Sequence, residues 1–203
     1  MPAQNVAILI FDEVEVLDFC GPFEVFGVSR DYRDDSTPLF NVYTVAEGDG
    51  PVIARNGLSV NPAYRLDNCP TPDILLVPGG RGTRTEVDNA PLIAWIKARS
   101  TTSALTLSVC TGALLLGKAG ILDGLAATTF HTAFDELAAV APNTELRPGQ
   151  RYVDNGTVIT SAGISAGIDM SLYVVEKLHG VEQARRTAEY MEYEYWQPAA
   201  DRV

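Results

Sequence analysis

The sequence predicts an α/β protein built on a mainly parallel sheet with helices on both faces. Three observations carry that reading. Short apolar, largely β-branched runs recur at residues 6–11, 73–78 and 104–109, the length and composition of buried strands. Helical patterns fall between them, and strands alternating with helices favour a parallel sheet covered on both sides. Asn155-Gly156 lies between two apolar arms, which marks a hairpin and therefore an antiparallel edge.

The elements follow in order. Residues 6–11 form the first strand, ended by Asp12. Residues 14–28 carry Val14, Leu17, Phe23, Val25 and Phe26, and Gly21-Pro22 marks a helix start there, since Pro is tolerated in a first turn. Residues 29–38 are a polar loop. Residues 41–46 alternate like a strand, and Leu58-Ser59-Val60 is one arm of a small hairpin. The strand at 73–78 ends at Gly79-Gly80. Leu92, Ile93, Trp95 and Ile96 give residues 91–99 an amphipathic helical pattern. The strand at 104–109 runs into a strongly apolar helix at 112–119. Residues 131–140 form another helix, 152–159 the hairpin with a type I′ turn, and 168–178 and 182–193 the closing helices. Met170, Tyr173 and Val174 read as core. The Glu189, Glu192 and Glu194 stretch, with its neighbouring tyrosines, reads as a solvated or interface face.

A chain of 203 residues with 46% apolar and 20% charged residues fits one globular domain over 1–203. Its formal net charge of -11 disfavours nucleic acid and anionic membrane surfaces, which bind through Lys and Arg. The three cysteines, Cys20, Cys69 and Cys110, have wide spacings and no CxxC pair, so no disulfide framework is expected. With two histidines in the chain, a closed zinc site is not expected. The apolar run at 6–11 is too short for a signal peptide or a membrane span. A cytoplasmic protein with reduced thiols follows.

Ser108-Val109-Cys110-Thr111-Gly112 is the segment that carries chemistry. A strand runs into one residue and then into a Gly-containing helix start, the pattern of a nucleophile elbow with Cys in place of Ser. The helix N-terminus beneath the side chain favours an anion, so the thiol pKa is expected to fall. The competing reading is a small buried hydrophobe, the usual fate of a cysteine. Gly79 and Gly80 let backbone N–H groups approach a ligand; with the Thr111 N–H they could form an oxyanion hole, or they simply end a strand. Asp18, in Leu17-Asp18-Phe19-Cys20-Gly21-Pro22, is either a helix cap or an acid–base partner of the thiol with a pKa raised by burial. His131 is the candidate base of a Cys–His pair, or a surface histidine. His179, beside Gly180, reads as a C-terminal dipole partner. Cys20 and Cys69 read as structural.

Several segments together resemble the ThiJ/PfpI superfamily, whose fold is the flavodoxin-like, class I glutamine amidotransferase-like three-layer sandwich. They are Leu17 to Pro22, Val77-Pro78-Gly79-Gly80, Ser108 to Ala113, Ala119 to Gly124, Ala127-Thr128-Thr129 and Ser161 to Asp169. They span nearly the whole chain in order. Within the superfamily the chain is most similar to the isonitrile (isocyanide) hydratase branch and to amidase-like domains of some transcription regulators. The resemblance implies that Cys110 attacks an isonitrile carbon, that Asp18 hydrogen-bonds the thiol and handles protons, and that Gly79, Gly80 and Thr111 surround the sulfur. It implies no cofactor and no metal, a small-molecule substrate and a homodimer. Alternatives within it are a glyoxalase-like or amidase-like thiol enzyme, or a non-catalytic redox-sensing or ligand-binding module. Two departures stand out. Phe130 occupies the place where many relatives carry His, with His131 one position later. The elbow also lacks the Cys-His-Gly of the protease-like branch. The chain ends at Val203, so the added helix-turn-helix domain of the regulators is not expected.

Overall fold

The computed structural model describes residues 2–34 and 36–198. In chain order the first half runs β1 (Gln4–Leu9), α1 (Val16–Val28), β2 (Phe40–Ala46), β3 (Val52–Ile53), β4 (Ser59–Val60), β5 (Tyr64–Arg65), β6 (Ile74–Val77), α2 (Thr83–Glu86) and α3 (Ala90–Thr102). The second half runs β7 (Leu105–Val109), α4 (Gly112–Lys118), β8 (Ala126–Ala127), α5 (Phe134–Val140), β9 (Glu145–Leu146), β10 (Tyr152–Asp154), β11 (Val158–Ser161), α6 (Ala166–His179) and α7 (Val181–Tyr190).

The main sheet has seven strands in the order β10-β11-β7-β6-β1-β2-β5. Every neighbouring pair is parallel except β10 and β11. The strands that read as apolar runs are its centre: β6 and β7 are buried at every position. Such continuous apolar strands can only be accommodated where helices cover both faces. Helices α1, α6 and α7 pack together as one layer, and α3, α4 and α5 as the other. Ala7, Tyr43 and Val45 face Trp95 of α3 on the second side. The fold is therefore the predicted α/β arrangement.

The chain leaves β1 for β2 on one side and later returns to β6 on the other. That reversal is the switch point, outside whose carboxyl ends ligands bind in open α/β sheets.

Four local expectations are corrected. Helix α1 starts at Val16, not at Gly21-Pro22, and Pro22 lies inside it. Pro22 offers no N–H to the turn before it, which costs about 3 kcal/mol in an exposed helix. Here Phe19, Val25 and Phe26 are buried in the core, and that burial holds the helix through the break. Asp18 thus sits in the first turn of α1, and the residue capping that helix is Glu15. The hairpin turn is not type I′, which needs positive φ at both central residues. The register sets Asn155 opposite Val158, so Gly156 and Thr157 are the central pair, and only Gly156, at φ 90°, is positive; the Asn155 amide instead grips Ala126, accepting from its N–H at 3.1 Å and donating to its carbonyl at 2.9 Å. Helix α5 begins at Phe134, so His131 lies in the turn before it. Finally, burial lowers the His179 pKa and leaves its Nε2 without a partner among the described residues, which does not suit a charged dipole partner.

Candidate active site

Cys110 sits immediately after β7 with φ 56°. A left-handed backbone is uncommon for any residue other than Gly, and it persists only where the surroundings enforce it. Here they do. The Cys110 N–H donates to the carbonyls of Ser161 at 3.2 Å and Ala162 at 3.1 Å. The Thr129 hydroxyl donates to the Cys110 carbonyl at 2.8 Å. Helix α4 then leaves at Gly112, where a Cβ would lie 2.1 Å from the Val77 carbonyl oxygen. Only glycine lets α4 start that close to β6.

Asp18 reaches the same place from α1 and is fully buried. Its Oδ2 accepts from the Gly79 N–H at 2.9 Å. Its Oδ1 is buried with no hydrogen-bond partner among the described residues. The Cys110 thiol and the Ile164 N–H face this carboxyl. Burial pushes Asp18 up to about 7; the Gly79 N–H opposes this and the Glu15 charge adds to it. Burial pushes the Cys110 thiol up to about 12, with the Asp18 carboxylate as the second cause. The N–H groups of Thr111 and Ile164 pull the other way and do not prevail.

The expected fall in the thiol pKa is therefore reversed. The sulfur-bearing residue is 5% exposed, and desolvation of a thiolate outweighs the donors aimed at it. Burial thus disfavours the charged form of both the thiol and the carboxyl.

The two glycines also differ from expectation. Neither N–H is free to face a ligand. Gly79 holds Asp18, and the Gly80 N–H donates to the Thr111 hydroxyl at 3.0 Å. That hydroxyl donates back to the Gly80 carbonyl at 3.1 Å, and Thr83 donates to the same carbonyl at 2.8 Å. A Cβ on Gly79 would lie 2.5 Å from the Thr111 nitrogen and 2.9 Å from Asp18 Oδ2. The glycine pair thus locks the acid and the elbow together, and the N–H groups that face the sulfur belong to Thr111 and Ile164.

Cys110 lines a cleft of about 700 Å³ with Thr111, Phe130, Thr132 and Ile164. His131 is exposed and does not line it; its ring lies 4.3 Å from that of Phe130, centroid to centroid. The structure brings together Cys110, Asp18, Gly79, Gly80 and Thr111, and leaves His131 outside. Cys20 and Cys69 are free and half-buried. Among the described residues no His/Cys/Asp/Glu group could hold a metal ion, and no helix is long and apolar enough to cross a membrane.

Ile164 went unassigned in the sequence. A β-branched residue with φ 54° is a strong outlier. Its one sequence signal was its place between Gly163 and Ser165 in a segment that the resemblance covers. The arginines of the cleft gave no signal, because nothing local shows which loops converge, and Phe130 stood out only as occupying the place where many relatives carry His.

The fold and the elbow define a class: α/β proteins with a cysteine on a strained strand-to-helix turn at the carboxyl edge of a parallel sheet. The chain belongs to the DJ-1/PfpI family, which matches residues 4–177. It is 32% identical to isonitrile hydratase from Pseudomonas putida, across 94% of this chain and 79% of that protein. It is 29% identical to the HTH-type transcriptional regulator CdhR from Pseudomonas aeruginosa, across 92% of this chain but 54% of the regulator. The crystal structure of a ThiJ/PfpI family protein from Pseudomonas syringae aligns with a TM-score of 0.85 at 30% identity, covering 98% of this chain and 78% of that one. Drosophila melanogaster DJ-1beta aligns with a TM-score of 0.81 at 18% identity, over 95% of this chain and 100% of that one, a likeness of fold alone.

Proposed function

We propose that this protein hydrates isonitriles to N-substituted formamides, with Cys110 as nucleophile and Asp18 as proton carrier. The observation that carries the reading is the buried pair. A thiol on an elbow faces a carboxyl pushed up to about 7, one of whose oxygens is unpartnered among the described residues. A carboxyl so tuned can both take and return a proton at neutral pH. The similarity to isonitrile hydratase supports the substrate class.

The thiol is protonated beforehand, so attack and deprotonation occur together. Sulfur forms a bond to the terminal isonitrile carbon as its proton passes to the Asp18 carboxylate. The N–H groups of Thr111 and Ile164 stabilise the charge that develops on sulfur. Asp18 returns the proton to the same carbon, giving a thioimidate, R–N=CH–S–Cys110. Water adds its oxygen to that carbon and one proton to nitrogen. The C–S bond then breaks, the remaining hydroxyl proton returns through Asp18 to sulfur, and R–NH–CHO leaves. One water is consumed and no electron is transferred. Gly79 orients the carboxyl, while Gly80 and Thr111 brace the elbow. The chain works as a homodimer, which gel filtration tests.

The decisive experiment is proton NMR of the formyl signal during incubation with a small alkyl isonitrile. Cys110→Ala should abolish turnover. Asp18→Asn should lower kcat by about 10²–10⁴-fold, the usual contribution of a positioned proton carrier. In the wild type kcat/KM should rise with pH through about 7 as Asp18 ionises. Formamide production by Cys110→Ala would refute the proposal. Because His131 lies outside the cleft, His131→Ala should leave the rate unchanged. A large loss there would favour the glyoxalase-like or amidase-like alternative.

A further inference from the structure

Three arginines, Arg55, Arg81 and Arg84, are among the residues lining the Cys110 cleft of a chain whose net charge is -11. Two of them are neutralised within the protein. Arg55 donates to Glu13 at 3.0 Å and lies 3.9 Å from Glu15. Arg84 grips Glu136 through two bonds, of 2.8 and 2.7 Å, and donates to the Gly80 carbonyl at 3.2 Å. The guanidinium of Arg81 has no hydrogen bond or ion pair among the described residues.

The backbone fixes where Arg81 starts. Its neighbours Gly80 and Gly82 are wedged against the turn at residues 12–15. Gly80 bridges to Val14, and the Gly82 N–H donates to the Glu13 carbonyl at 3.2 Å. A Cβ would lie 2.4 Å from the Glu13 oxygen at Gly80 and 2.0 Å from the Asp12 oxygen at Gly82. Arg81 therefore grows from a rigid point beside the elbow. The cleft combines a buried sulfur, an apolar flank of Phe130 and Ile164, and one exposed cation with no partner among the described residues.

We infer that the cleft selects substrates carrying a carboxylate on the arm away from the reacting carbon, and that Arg81 recognises it. A guanidinium presents a planar fork of donors that matches a carboxylate in two bonds. The overall negative charge repels anions at long range, so the selection has to be made by a local unpaired cation. The inference rests on Cys110 being a nucleophile reached from this cleft; it does not depend on the isonitrile.

The test uses two alkylating probes with the same reactive head, N-iodoacetylglycine and its neutral amide. Alkylation of Cys110 is followed by mass spectrometry in the wild type, Arg81→Gln and Arg81→Lys. The ratio of charged to neutral rates, taken within each variant, cancels changes in thiol reactivity and the repulsion from Asp18. That ratio should fall about fivefold or more in Arg81→Gln, as expected for one partly screened charge pair, and by less in Arg81→Lys, which keeps the charge but loses the planar fork. At about 0.5 M salt the wild-type ratio should move toward the Gln value, because the screening length shrinks. Equal ratios in the wild type and Arg81→Gln would overturn the inference, as would a Cys110 that neither probe reaches. A parallel assay compares isocyanoacetate with its amide. If neither is hydrated while the alkylation ratio still depends on Arg81, the carboxylate site stands and the hydratase reading falls. If both are hydrated at rates indifferent to Arg81, the carboxylate site falls and the hydratase reading stands.

Discussion

The middle of the sheet and its carboxyl edge are built from the same strands and obey opposite rules. Inside, Ile8, Leu76 and Leu107 are fully buried and stand side by side in register on β1, β6 and β7. There propensity, pattern and burial agree. A few residues further on, that agreement ends. Glu13, Cys110 and Ile164 hold positive φ, and Asp18 is buried with one oxygen unpaired among the described residues. The edge carries strain and an unsatisfied carboxyl that the interior is stable enough to hold. Departures from local consistency concentrate where function is expected, and here Cys110 and Ile164 line one cleft with the Asp18 carboxyl buried beside the thiol.

The largest effect should come from breaking the interior. Ile8→Ala removes a fully buried side chain from the central strand and should destabilise the protein by about 2–5 kcal/mol. Urea denaturation would show a lower midpoint with an unchanged slope, and alkylation of Cys110 in the native state should keep its pH dependence. An altered pH dependence would mean that the interior and the edge are not separable.

A smaller effect of opposite sign should come from relieving the edge. Asp18 is raised from 3.8 to about 7 in the folded protein. Between those values the unfolded chain has lost the proton and the folded chain still holds it. Stability is therefore full below about pH 4 and falls as pH rises to about 7. Asp18→Asn removes that dependence while keeping an acceptor for the Gly79 N–H. At about pH 8 the variant should be more stable than the wild type by about 1–3 kcal/mol, with the difference shrinking toward acid pH. Thermal melts across that range measure it. A wild type whose stability rises across the same range relative to Asp18→Asn would show that the carboxylate is comfortable in its site and is no poised acid.

Legibility follows the same division. The buried strands, their alternation with helices and the hairpin edge could all be read, because burial on two faces leaves a mark in every residue of a strand. The elbow and Asp18 could be read as residues but not as electrostatics. A helix N-terminus argues for a low thiol pKa, and only the depth of burial, a property of the whole fold, decides that desolvation prevails. Gly79 and Gly80 could be read as close approaches, but their N–H partners are Asp18 and Thr111, distant in sequence. Pro22 misleads because a proline marks a helix start when only local rules apply, and α1 is held by packing. Ile164 is silent because its importance lies in a dihedral angle and not in its side-chain chemistry.

That residue supplies the smallest effect and the sharpest test of the comparison. At φ 54° a β-branched side chain carries strain of roughly 1–3 kcal/mol. Glycine adopts that angle freely but adds about 0.5–1 kcal/mol of unfolded-state entropy. Ile164 is also 36% exposed, so deleting its side chain forfeits only part of a buried isoleucine. The terms nearly cancel, and Ile164→Gly should leave stability within about 1 kcal/mol of wild type. In the sheet interior the equivalent deletion costs several times that. The Ile164 N–H, however, would no longer be held toward the sulfur, so the midpoint of Cys110 alkylation should shift to higher pH, since a donor that favours the thiolate is loosened. A loss of stability above about 2 kcal/mol with an unshifted midpoint would place Ile164 with the interior. The strain at this edge would then be a consequence of packing and not a provision for the thiol.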